Sequence, residues 1–246
     1  MIALLFGLAL ANPQLDAANA AHLDGDGVTA AQGYAELIDQ GHVSADLYYN
    51  LGNSHYQAGH LGHAILSWRR AQLLAPRDGD IGANLDHARL QARDRLEPPE
   101  TGGALFWRST LSLREQGWGA TLLMGLLGLL AIVGRLRREL RLGIPMLLVG
   151  APGLALWISS FVEINELGSH AVVLAPVQVD SGGGGTVLFE LNPGAEVLYR
   201  ESAAGRAQIE LPDGRRGWMP EQALGVVDPR LPAPRPPVSE PPSGGT

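Results

Sequence analysis

Two stretches without a single charged side chain, 118–134 and 142–162, constrain this chain more than any other feature of its 246 residues. A helix rises 1.5 Å per residue, so each run is about long enough for a hydrocarbon core of roughly 30 Å, the first only just. Soluble helices of that length carry charges on the face that meets water. The pair therefore predicts a two-helix transmembrane hairpin, with spans 118–134 and 142–163 and a loop at 135–141. That loop holds Arg135, Arg137, Arg138 and Arg141, a cluster expected to stay cytoplasmic, which puts both flanking regions on the other side. Pro145, Gly150, Pro152 and Gly153 mark where the second span bends or admits a neighbouring helix. Ser159, Ser160 and Glu163 read as its interfacial end, and 97–117 reads as a linker running into an interfacial segment with Phe106 and Trp107.

Ahead of the hairpin, 46–76 reads as two amphipathic helices around a break at Ala58, Gly59 and His60. Leu47, Leu51 and Tyr56 mark the first stripe, and Leu61, Ile65, Trp68, Ala71 and Leu74 the second. Gly52 and Ala64 are small where two backbones could approach. Tyr48, Leu51, Gly52, Tyr56, Ala64, Trp68, Ala71 and Pro76 follow the pattern of a tetratricopeptide (TPR) repeat, which this segment resembles, with His55 where that family usually has Tyr. One repeat cannot bury its own stripe, so the period of about 34 residues should recur. It does: Ala30, Tyr34, Leu37 and Gly25 precede Ala64, Trp68, Ala71 and Gly59, and Asn84-Leu85 follows Asn50-Leu51. The reading is an all-α TPR helical stack over 12–96, with a degenerate first repeat and a last helix whose Asp86, Arg89, Arg93, Asp94 and Arg95 face solvent as a cap.

Residues 1–11 have the apolar run and small-x-small end of a signal peptide, without a basic start; a buried first helix is the alternative. Asp24 and Asp26 lack the further ligands of a calcium loop and read as an inter-helix turn. His60 and His63 share a helix face with His55 nearby, a metal-like spacing, but no carboxylate or fourth ligand accompanies them, so they read as polar surface.

After the hairpin, short alternating runs fill 170–228, with turns at Asn192-Pro193-Gly194 and Pro212-Asp213-Gly214, predicting a small all-β barrel of five or six strands. The order of its strands and the Pro-Asp-Gly-x-x-Gly-Trp element ending at Trp218 resemble a bacterial SH3-like domain. Gly182 to Gly185 lack the helix start and Lys of a phosphate loop and read as a mobile strand connection. The proline-rich 229–246 has no hydrophobic face and is expected to be a disordered tail.

A net charge of −7 argues against nucleic acid, and the absence of cysteine removes disulfides, thiolate metal sites and thiol catalysis. No nucleophile and base are paired by any motif, so the chain reads as no enzyme, with no catalytic residue, metal or cofactor. A TPR stack, a two-span anchor and an SH3-like barrel, in that order, make a multidomain chain that resembles the BatE-type proteins of the bacterial aerotolerance operon. The resemblance implies a periplasmic scaffold of the inner membrane. It implies as partners membrane-bound von Willebrand factor A-type proteins and an associated MoxR-type ATPase. In related stacks a peptide lies along first helices, at positions that here are Tyr49, Asn50, Asn53, Tyr56 and Asn84; for Asn50 and Asn84 a helix-packing role is the equal alternative. The other functional reading is a cell-wall sensor whose barrel binds peptidoglycan around Trp218.

Overall fold

The computed structural model describes residues 12–94, 96, 107, 110–137, 140, 142–166 and 168–235. The leader, most of the linker, Arg138 and Arg141 of the loop and the tail beyond Arg235 lie outside the described residues.

Five helices come first: α1 (Pro13–Leu23), α2 (Gly27–Asp39), α3 (Ala45–Gln57), α4 (Leu61–Leu74) and α5 (Gly79–Gln91). The repeat is visible in their turns. Gly25 and Gly59 have φ of +86° and +79°, a region that costs other residues a Cβ clash. After each, the next N–H closes the same bond, Asp26 to the Ala21 carbonyl at 2.9 Å and His60 to the His55 carbonyl at 2.8 Å. Asp26 also accepts from the Thr29 N–H at 3.0 Å, so the acidic pair is an inter-helix turn with a helix cap. Ala30, Tyr34 and Leu37 of α2 are buried like their counterparts Ala64, Trp68 and Ala71 of α4. Gly52 is small for a reason other than backbone approach: a Cβ there would stand 2.5 Å from the Trp68 indole. The close backbone approach is at Gly27, where a Cβ would meet the Ser54 carbonyl oxygen at 2.5 Å.

Seven strands, β1 (His170–Val173), β2 (Val177–Asp180), β3 (Val187–Leu191), β4 (Glu196–Ala203), β5 (Arg206–Glu210), β6 (Arg216–Pro220) and β7 (Leu224–Val226), form an antiparallel sheet in the order β3-β2-β6-β5-β4-β1-β7. With β3 and β7 as its edges the sheet is open, where a closed barrel was expected. Val173, Val179, Leu191, Val197, Ile209, Met219 and Leu224 come from all seven strands into one core, so the sheet curls around its own side chains.

Strand β1 couples this core to the helices. Side chains alternate along a strand, so Ala171 and Val173 enter the sheet's core while Val172 enters the helical one. Helix α4 lies against β1 and β7, and a side chain at Gly62 or Gly225 would run into Val173 or Leu66 respectively. At the rim Glu196, 7% exposed, sits between Arg69 (3.0 Å) and Arg89 (2.7 Å), and Asp94 accepts from the backbone and side-chain amides of Asn192. Arg89 and Asp94 therefore belong to an interface with the sheet and do not simply form a solvated cap.

The tail also departs from expectation over its first residues. Residues 229–235 pack across α2, α3 and α4 as a strap, with Ala233 in the helical core. Side-chain hydrogen bonds to its backbone hold it, which composition alone does not report.

Helices α6 (Leu113–Leu136) and α7 (Gly143–Glu166) are long and apolar enough to cross a membrane. Leu122, Leu129, Leu147, Leu148, Trp157 and Phe161 point outward, as lipid contact requires. Gly150 and Gly153 bring α7 against Leu127 and Leu123 of α6, and α7 runs on through Pro152. Ser159 is not merely interfacial: its hydroxyl donates to the Gln116 side chain at 2.8 Å and accepts from the Trp107 indole at 3.1 Å. Gln116 in turn donates to Glu163 at 2.8 Å. These bonds join the start of α6 to the end of α7, so the stack and the sheet leave the hairpin at the same end.

Candidate functional site

At 3.6 residues per turn, α3 presents two separate rows. Asn53 and Tyr56 face α5, whereas Tyr48 and His55 turn roughly a third of a turn away.

On the first side Asn53 Oδ1 accepts from Asn84 Nδ2 at 3.0 Å and from Trp68 Nε1 at 3.1 Å. The Tyr56 hydroxyl meets His87 Nε2 at 3.1 Å and accepts from Gln91 Nε2 at 2.6 Å, and its ring packs on Trp68 at 5.7 Å between centroids. Three of the five expected groove residues, Asn53, Tyr56 and Asn84, are thus gathered on one half-exposed surface between α3 and α5. Tyr49 packs against the helical core, and the backbone carbonyl of Asn50 accepts from Ser54. His87 and Gln91 join the row unforeseen. The signal that could have found them is the helical spacing from Asn84, at three and seven residues.

On the second side His55 and His63 are not polar surface, whereas His60 is half-buried. His55 is 0% exposed and His63 8%, and the three rings of His55, His60 and His63 lie with centroids 5.1 to 6.1 Å apart. Burial, with the neighbouring His63 and His60, lowers His55 to about 3, and burial with His60 lowers His63 to about 4. Both are neutral at ordinary pH. Among the described residues no three His, Cys, Asp or Glu side chains are arranged to hold a metal.

In the sheet, Trp218 of β6 is half-buried, and its carbonyl accepts from Arg206 at 3.1 Å. Over its indole lies the glycine loop, where a Cβ on Gly182 would stand 3.0 Å from the ring. Gly182, Gly183 and Gly184 all have positive φ. Positive φ at Gly182 to Gly184 and close approach at Gly182 and Gly185 each require glycine. Asp180 fixes its entry by accepting from the Gly182 N–H at 2.8 Å.

No family model, curated protein or solved structure matches the chain.

Proposed function

We propose that this protein is a membrane-anchored scaffold that holds an extended protein segment along the α3/α5 surface, with the helical stack acting as a TPR module and the curled sheet as an SH3-like one. The observation that carries the reading is the row Asn53, Asn84, Tyr56, His87 and Gln91. Amide side chains offer a donor and an acceptor at one position, which is what an ordinary peptide backbone requires, and the Tyr ring adds area with a polar tip. The two apolar helices would supply the anchor, and the arginine-rich connection favours a periplasmic location for stack and sheet. The partners suggested by resemblance are von Willebrand factor A-type membrane proteins with a MoxR-type ATPase. Peptidoglycan binding through Trp218 has less support, since the glycine loop covers part of that ring.

Two experiments test this. Reporter fusions after Leu96 and at the C-terminus should both report periplasm, and one at Arg138 cytoplasm; a cytoplasmic signal from either end overturns the orientation. Cross-linking in the membrane followed by capture should lose its partner about thirtyfold with Asn53→Ala and Tyr56→Ala together, because each such group contributes about 1 kcal/mol to a contact. Unchanged capture by the double variant rules out this surface.

A further inference from the structure

The strap makes a pattern of contacts too specific for a linker. Prolines at 229, 232 and 234 have no N–H, so this segment offers mainly carbonyl acceptors. The surface beneath it is correspondingly rich in donors. The Tyr48 hydroxyl donates to the Pro229 carbonyl at 2.9 Å, and the Arg70 guanidinium to the Pro232 carbonyl at 2.8 Å. His55 Nε2 lies 3.0 Å from the Pro234 carbonyl, which can only accept. Arg70 itself is 3% exposed and also donates to the Val226 carbonyl at 2.9 Å, so the guanidinium is fixed before it reaches the strap. One acceptor completes the set: Asp39 Oδ1 takes the Ala233 N–H at 2.9 Å, and its other oxygen pairs with Arg235 at 2.7 Å.

We infer that the α2–α3–α4 face is a peptide-binding site for an extended, proline-rich segment read through its carbonyl groups, with residues 229–235 of this chain as the resident ligand. A donor-rich groove facing an acceptor-rich peptide is the complement that separates this site from the α3/α5 surface, whose amides suit a backbone bearing both groups. Proline fixes the backbone before binding, which reduces the ordering cost for a short ligand. The site also sets how the two units are held, because the strap continues directly from β7 and Arg70 grips both. Displacing the strap with a competing peptide therefore removes its tie to Arg70, while the bond from Arg70 to Val226 stays. The inference stands independently of the scaffold reading.

The probe is a synthetic, labelled peptide of sequence PRLPAPR, used on the protein in detergent micelles. A version ending at Asp228 should bind it saturably at one per chain. Arg70→Met in that version should weaken binding at least tenfold, as should N-methylation of the peptide's alanine, which removes the bond to Asp39. In the complete chain, where the site is filled, trypsin should cut slowly between Arg230 and Leu231. Tyr48→Phe, or excess unlabelled peptide with citrulline in place of its first arginine so that trypsin ignores it, should speed that cut severalfold. If the shortened chain keeps its helical circular dichroism and fails to bind, the site does not exist. Should the shortened chain unfold, the complete chain decides: cleavage that neither Tyr48→Phe nor added peptide accelerates overturns the inference.

Discussion

His55 and Tyr56 are neighbours on α3, yet one is fully buried against the Pro234 carbonyl and the other half-exposed against His87 and Gln91. Because a helix turns about 100° per residue, consecutive positions can serve unrelated surfaces. The difference in chemistry follows from what covers each side. Under the strap, water is gone, so each polar group has to find a fixed partner or stay uncharged. On the α3/α5 side, groups bond one another at a partly exposed surface and can exchange those bonds for a ligand's.

The sharpest way to break this contrast is at the rim that holds the covered side together. Glu196→Gln leaves the half-buried Arg69 without its counter-charge, and urea unfolding should show a loss of about 3 kcal/mol. A loss below about 1 kcal/mol would mean that Glu196 does not bind the sheet to the stack.

Acid should act nearly as strongly on the covered side. His55 and His63 sit at about 3 and about 4 in the folded protein, beneath the ordinary value near 6.5 that unfolding restores. The unfolded chain then binds more protons, so their contribution is complete above about pH 6.5 and declines as pH falls toward 4. Between pH 7 and pH 5 the two should cost roughly 3 to 4 kcal/mol of unfolding free energy. The groups facing them are His60, the Pro234 carbonyl and the Arg235 backbone, none a carboxylate that would offset the charge. A flat profile over that interval would show that the rings are not buried as described.

Ala64→Leu tests the packing between the two rows. With Ala64 fully buried, the added methylenes should cost about 1 to 3 kcal/mol in thermal melting, and an unchanged Tm would count against the register of the repeat.

The smallest effect belongs to the open side. Tyr56→Phe keeps the ring on Trp68 and removes only the hydroxyl, so partner capture should fall about fivefold, equivalent to about 1 kcal/mol. Stability should change by less than about 1 kcal/mol, and the trypsin cut after Arg230 should keep its wild-type rate. A faster cut would show that the two sides of α3 are coupled. Asn53 is a poorer probe than its exposure suggests, because it also accepts from the buried Trp68 indole.

Local periodicity determined much of this protein from sequence. The turn glycines 34 residues apart, the buried stripes of α2 and α4, the two uncharged runs and the alternating strands are each set by neighbours along the chain. That Asn53, Tyr56 and Asn84 share one surface followed from the resemblance to a repeat family, not from periodicity itself. Tertiary structure alone decided the rest. Val172 in β1 reads as any strand valine, and its place in the helical core depends on α4 lying across the sheet. Glu196, Arg69 and Arg89 are ordinary surface residues by composition, and only the meeting of two units makes them an ion-pair cluster around a buried carboxylate. Residues 229–235 have the composition of a free tail, since prolines without donors look the same to the sequence whether water or protein satisfies their carbonyls. It is the donors of Tyr48, His55 and Arg70, more than 150 residues away along the chain, that order them.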